Sequence, residues 1–175
     1  MLKLVEPNEM YLNQYIEAYF LSKEKIQQGK MKAFDLMFVN PEENILAKLE
    51  KRKSPDRLKF GKVPWYEFFL VDDDIFIGVV TIRLDLNDEL LNNGGNIGYG
   101  ISPKFWDKGY GNQALKLGLI KAKEMGLTKG ALVTCDVDNI ASAKIIEKNG
   151  GVLENIIENN IDGTKILTKR YWIDL

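Results

Sequence analysis

The apolar positions of this chain change period several times, and each change marks an element. Leu2 to Val5 alternates and predicts a short strand. Leu12, Tyr15, Ile16, Tyr19 and Phe20 then recur at helical spacing behind a start signal at Pro7-Asn8-Glu9, and Gly29 ends that helix. This aromatic stripe reads first as a core face, with a tyrosine in a substrate pocket as the alternative. Asn40-Pro41-Glu42-Glu43 joins a cap, a first-turn proline and two acids, predicting a helix that carries Ile45, Leu46 and Leu49 and frays near Ser54-Pro55. Trp65 to Val71 and Ile75 to Leu86 form a hairpin around Asp72-Asp73-Asp74, with Gly78 marking a bulge or a close approach. A polar loop, Asn87 to Gly95, precedes a strand over Asn96 to Ser102. Glycines then open a helix that runs to Met125 with Ala114, Leu115, Leu119 and Ala122 inward. Ala131 to Val137 is a strand, and Asp138 or Asn139 caps a helix (Ile140, Ala143, Ile145, Ile146) that stops at Asn149-Gly150. Val152 to Ile157 and Lys165 to Ile173 close the chain as a hairpin about Asn160-Ile161-Asp162-Gly163. The order β-α-α-β-β-β-α-β-α-β-β is mixed α/β, read as one domain over residues 1–175 because no repeat or linker interrupts it.

Composition removes more functions than it suggests. The chain has no histidine, which excludes a Ser-His-Asp triad, a Cys-His dyad and a His-ligated zinc within it. Cys135 is the single cysteine, so no intrachain disulfide or Cys-based zinc site can form. Asp72-Asp73-Asp74 lacks the spaced ligands of an EF-hand loop, and no metal is expected. A net charge of −1 makes no general case for nucleic acid or an anionic membrane. No apolar run approaches the length of a bilayer span, and the N-terminus reaches Glu6-Pro7 before a signal-peptide core could form. A cytoplasmic protein is the expectation. From Lys48 to Lys62 bases outnumber acids, which reads as a solvated surface or as a rim that recruits an anionic substrate.

The chemistry concentrates where the strand ending at Ser102 passes through Pro103 to Lys108-Gly109-Tyr110-Gly111 and into a helix. Glycines at such a junction leave backbone amides uncovered, and the helix dipole adds partial positive charge, so phosphate groups bind there. Gly109 to Ala114 formally matches the dinucleotide fingerprint G-x-G-x-x-A. That fingerprint needs its first glycine directly after a strand early in the domain, whereas six residues intervene here and only one further crossover follows. A Walker A loop fails because no Gly-Lys-Ser/Thr is present at the junction.

Read together, the strand, Pro103, the Lys-Gly-Tyr-Gly junction, the helix, the next strand, Asp138-Asn139-x-x-Ser142 and Glu147-Lys148-x-Gly150 resemble the GNAT superfamily of N-acetyltransferases. The motifs cover about residues 75 to 175. They are similar to the branch holding ribosomal-protein N-terminal acetyltransferases and many predicted acetyltransferases. The resemblance implies a GNAT fold: about seven mostly antiparallel strands, a bulge in strand four, a splay between strands four and five, and about four helices. It implies acetyl-CoA as co-substrate, with its pyrophosphate wrapped by the amides of Lys108, Gly109, Tyr110, Gly111 and Asn112. Trp106 departs from the Gln or Arg usual at the head of that loop. By the same resemblance, the Tyr99 amide supports the thioester oxygen, the Ile101 amide binds pantetheine, and Asn139 contacts pantetheine while also serving as a helix cap. A donor aimed at a developing oxyanion contributes ~3 kcal/mol. The family often carries a tyrosine acid on the last helix, and that position is Ile146 here. Ser142 or a water then supplies the proton, or the thiolate leaves unassisted. Cys135 suggests an acetyl-enzyme, against which stand the family habit of direct transfer and the packing role usual for a strand cysteine. The acid that some relatives keep near the start of strand four is Gly95 here, and Glu67 and Asp85 are base candidates without a motif behind them.

The expected activity is therefore transfer of an acetyl group from acetyl-CoA to a primary amine by direct attack. The acceptor is a small-molecule or peptide amine: a protein N-terminus, an amino acid, a polyamine or an amine-bearing drug. The alternative is a non-catalytic acyl-CoA sensor. A homodimer, common in the family, would use the final hairpin with Tyr171 and Trp172.

Overall fold

The computed structural model describes residues 1–42, 44–161 and 163–175. Glu43 and Asp162, read from the sequence as parts of a helix start and a hairpin turn, lie outside them. Four strands, β1 (Leu2–Val5), β2 (Tyr66–Asp72), β3 (Ile75–Ile82) and β4 (Ile97–Ile101), form one sheet in that order. The other three, β5 (Ala131–Asp136), β6 (Val152–Ile161) and β7 (Thr164–Ile173), form a second sheet in the order β5-β7-β6. All of these pairings are antiparallel. The helices are α1 (Leu12–Gln27), α2 (Ile45–Lys53), α3 (Asp88–Asn92), α4 (Tyr110–Glu124) and α5 (Ile140–Lys148).

Alternation along the central strands builds two cores, one on each face of the first sheet. Phe68, Leu70, Val80, Ile82 and Ile97 pack toward Ala114, Leu115 and Ala122 of α4 and toward Ile146 of α5. Phe69, Val71, Phe76 and Val79 face the other way, against Tyr15 and Ala18 of α1, Ile45 and Leu49 of α2, and Phe38. Full burial of each large side chain contributes about 1.5–3 kcal/mol. The Tyr15 ring is wholly buried, whereas Phe20, counted in the same stripe, stays 59% exposed on the outer side of α1.

Several boundaries move for identifiable reasons. α2 is capped by Asn44, whose Oδ1 accepts from the Ala47 amide, while Asn40 closes only a local turn onto the Glu42 amide. β3 ends at Ile82, and the predicted polar loop after it holds the short helix α3, capped by Asn87 accepting from the Leu90 amide. β6 runs to Ile161, beyond its apolar stretch, because β7 pairs with it along its length. The bulge expected in strand four is not there, since β4 pairs with β3 in unbroken register. It falls in β3 instead, where the register shifts opposite Leu70 and Val71. Gly78 beside it meets both sequence readings at once: a Cβ there would lie 2.2 Å from the Gly100 carbonyl oxygen.

The two sheets meet at Asn96. Its amide donates to the Leu132 carbonyl of β5 at 2.7 Å, and its carbonyl accepts from the Arg83 amide, just past β3, at 2.8 Å. Its side chain repeats the link, with Oδ1 accepting from the Leu132 amide (2.8 Å) and Nδ2 donating to the Arg83 carbonyl (3.0 Å). Gly95 precedes it at φ 62°, where a Cβ would strike the Leu132 carbonyl at 2.3 Å. Past this clasp β4 and β5 share no ladder, which is the splay the sequence implied.

Candidate active site

Beyond Asn96, β4 has one bonded edge and one open edge. The Arg83 amide bonds the Asn96 carbonyl, and the Ser102 amide bonds the Ile77 carbonyl at 2.9 Å. Antiparallel alternation between those points turns Gly98 and Gly100 toward β3 and turns the backbone groups of Tyr99 and Ile101 toward the splay. The indole Nε1 of Trp106 donates to the Ile101 carbonyl at 2.9 Å, so this edge retains the Ile101 amide but not its acceptor. Trp106 thus fills the place of the usual polar residue by holding the strand end itself.

The chain then turns through Pro103–Phe105 into the junction. Asp107 (φ 59°) and Gly109 (φ 80°) both take left-handed conformations around Lys108. α4 starts at Tyr110 with Gly109 as N-cap and no side-chain cap, so the donors of its first turn, including those of Gly111 and Asn112, are not covered by a capping group. Lys108 is exposed, its Nζ 5.3 Å from the Phe105 ring centroid, and Phe105 packs edge-on against Tyr110. Gly111 serves a second purpose: a Cβ there would lie 2.7 Å from Cδ1 of Ile145, so its absence lets α4 and α5 approach. Asn112 accepts a hydrogen bond from Asn149 Nδ2 at 3.0 Å, tying the same two helices.

Across the splay, Asn139 caps α5 by accepting from the Ser142 amide at 3.0 Å. Ser142 Oγ lies 2.9 Å from the phenol oxygen of Tyr99, a side-chain contact that no motif foretold. Burial raises the phenol pKa, which keeps it protonated. Cys135, beside them, has its thiol pushed up to about 11 by burial, which makes it a poor nucleophile. Ile146, at the family's tyrosine position, is fully buried in the core. The splay therefore presents two amides on a strand edge, an uncovered helix N-terminus at its mouth and a Tyr–Ser pair that links β4 to α5. That arrangement suits an extended chain with amides along it and phosphates at one end.

The base candidates part company. Asp85 is exposed beyond the end of β3, away from the splay. Glu67 is buried on the α1 and α2 side of the sheet, 3.1 Å from Arg52 Nη1 and 3.2 Å from the Tyr15 hydroxyl, which donates to it. Burial pushes Glu67 up to about 7 against the opposing pull of Arg52. A carboxyl whose folded pKa lies above its unfolded value of 4.5 holds extra protons when folded, so stability should fall as pH rises from about 4.5 through 7. Glu67→Gln is expected to flatten that slope in a series of thermal melts, and an unchanged slope would assign it elsewhere. A third acidic group joins the segment before α2 to the end of β5: Lys32 Nζ lies 2.9 Å from Asp136 and 3.4 Å from Asp138, and burial raises the nearby Asp35. No cluster of three metal-ligating side chains occurs among the described residues. No helix among them is long and apolar enough to cross a membrane.

The model of the acetyltransferase (GNAT) domain matches residues 9–152, and the chain belongs to that family. Among solved structures it is similar to RimL, a ribosomal L7/L12 alpha-N-protein acetyltransferase, in its apo form (17% identity, 99% of this chain and 90% of that chain, TM-score 0.72). It is also similar to RimL in complex with coenzyme A through a CoA–cysteine disulfide (18%, 99% and 94%, TM-score 0.70). A third neighbour is MccE, the microcin C7 self-immunity acetyltransferase, in complex with acetyl-CoA and AMP (22%, 99% and 92%, TM-score 0.69). At these identities the likeness concerns the fold. No curated protein sequence matches the chain significantly.

Proposed function

We propose that this protein is an acetyl-CoA-dependent N-acetyltransferase in which a primary amine attacks the thioester directly. The observation that carries this reading is the open edge of β4, whose Tyr99 and Ile101 amides face the splay and lead to the uncapped start of α4. In this reading the amides of Lys108, Gly109, Tyr110, Gly111 and Asn112 hold the pyrophosphate, and the Asn112 side chain is left to its bond with Asn149. The Ile101 amide binds pantetheine with Asn139 nearby. The Tyr99 amide stabilises the oxyanion as the thioester carbonyl becomes tetrahedral. When the carbon–sulfur bond breaks, the thiolate takes a proton from the Tyr99–Ser142 pair, which supplies on β4 and α5 what the family tyrosine supplies elsewhere. The amine loses its proton to water, no carboxylate being aimed at the splay by a motif.

Two further points support the reading. Cys135 lies beside Ser142, and CoA is recorded in disulfide linkage to a cysteine in the RimL complex. MccE and RimL carry acetyl-CoA and CoA respectively. The test is release of free CoA thiol from acetyl-CoA against a panel of amines, with CoA affinity measured in parallel by calorimetry. Thiol release that depends on the amine and tracks an acetylated product is the expected result. Micromolar CoA binding with no release from any amine would leave the protein an acyl-CoA sensor.

A further inference from the structure

The α2 side of the first sheet holds a cluster that the proposed transfer chemistry does not use. Arg83 follows β3 and is 94% out of contact with solvent, its exposure being 6%. Of its five N–H donors, one is accounted for, Nη1 to the Gly95 carbonyl at 3.3 Å. No carboxylate pairs with it among the described residues. It lies instead over the Trp65 indole, 4.3 Å from the ring centroid, and Arg52 lies over the same ring at 4.7 Å. The Trp65 Nε1 hydrogen is itself buried without an acceptor. Arg57 stands close by, its Nε on the Val63 carbonyl, and its charge and that of Arg52 add to burial in lowering the Arg83 pKa to about 10. Among the described residues Glu67 is the single acid joined to this group, and it pairs with Arg52. A cavity of about 390 Å³ opens beside Arg52 and Arg57, lined also by Asn44, Ala47, Lys48 and Lys51. Folding the Arg83 guanidinium into the protein without a counter-ion is costly, and the like charges of Arg52 and Arg57 nearby raise the cost.

We infer that Arg83 and Arg52, stacked on Trp65, and the neighbouring Arg57 bind an anionic group of the acceptor, so that the substrate is an amine that also carries a carboxylate or a phosphate ester. This rests on the acetyltransferase reading above and names its substrate class. Guanidinium forks suit both anions through paired N–H bonds, and Trp65 Nε1 offers a further donor. Arg83 sits opposite Asn96, three strand residues short of Tyr99, so the anion lies ~10 Å along the sheet from the reacting carbon. That spacing fits the α-amine and terminal carboxylate of a short peptide better than those of a single amino acid. Met37, which covers Gly98 and Gly100 on this face, is the adaptable side chain that such an acceptor would displace.

The test pairs acceptors that differ only in the anion: a tripeptide with a free C-terminus against its amide, and an aminoalkyl phosphate of similar length against the amino alcohol. The wild type should favour at least one anionic member of these pairs by tenfold or more in kcat/KM, and which pair shows it separates carboxylate from phosphate. Arg83→Met should reduce that preference below about threefold. Equal kcat/KM within both pairs, or a preference unchanged in Arg83→Met, would overturn the inference. Arg57→Gln, at a half-buried position, gives the same readout if Arg83→Met does not fold. A measurement without turnover keeps the two readings apart: inorganic phosphate should raise Tm with CoA saturating, and Arg83→Met should lose that rise. A rise lost in the variant, in a protein that acetylates nothing, sustains the anion site and sinks the transferase. No rise in the wild type sinks the anion site.

Discussion

Asn96→Ala is expected to lower stability by about 3 kcal/mol or more, read as a shift in the urea midpoint. The side chain is 3% exposed, and its loss would strand the Leu132 amide and the Arg83 carbonyl, both of which it satisfies. A buried polar group left without a partner costs about 1–3 kcal/mol, and here there are two. For a chain of this size that corresponds to a fall in Tm of roughly 6–12 °C. Asn96→Asp should do no better, since it keeps an acceptor for Leu132 but aims a carboxylate at the Arg83 carbonyl. A loss below about 1 kcal/mol for the alanine variant would mean that the clasp is redundant and the sheets are joined by packing alone.

The second large effect concerns the Tyr99–Ser142 pair. Tyr99→Phe should reduce kcat about 100-fold, the lower end of what a positioned acid contributes, while CoA affinity stays within about threefold. The Tyr99 amide, proposed as the oxyanion donor, is untouched by this change, so the phenol is tested separately from the backbone. Ser142→Ala should cost a similar factor. Because the two hydroxyls act through one hydrogen bond of 2.9 Å, the double variant should be little worse than either single one. Full kcat in Tyr99→Phe would show that the thiolate leaves without protein help.

Much of the fold was legible because periodicity and punctuation agreed. Gly109, Asn139 and Gly150 stand where helices start or stop, and the apolar runs of β2, β3 and β5 are too short and too β-branched or aromatic for helices. The junction at Lys108–Gly111 was legible for the same local reason: glycine spacing and a helix start lie within a few residues. What stayed hidden depends on partners far along the chain. Asn44 and Asn40 look alike as caps, and packing of Ile45 against the sheet decides between them. Trp106 looked like a missing polar contact, because its bond to the Ile101 carbonyl requires the turn between them. The pairing of Tyr99 with Ser142 joins residues 43 positions apart, and the cluster of Arg52, Trp65 and Arg83 joins α2 to the ends of two strands. A basic run was visible in the sequence from Lys48 to Lys62, yet its most deeply buried partner, Arg83, lies outside that run.

The clasp at Asn96 also makes the splay a ruler with a blind end. In the proposed reading, the phosphates rest at the start of α4 and the thioester carbonyl reaches Tyr99, which leaves three residues of strand, ~10 Å, before β4 and β5 close together. Ile97, fully packed into the core, already stands in that interval. In that reading, an acyl chain long enough to run toward the clasp would meet Ile97. The proposed site would then limit acyl length through the backbone closure at Asn96 together with the Ile97 side chain, and longer donors would call for a smaller residue at Ile97.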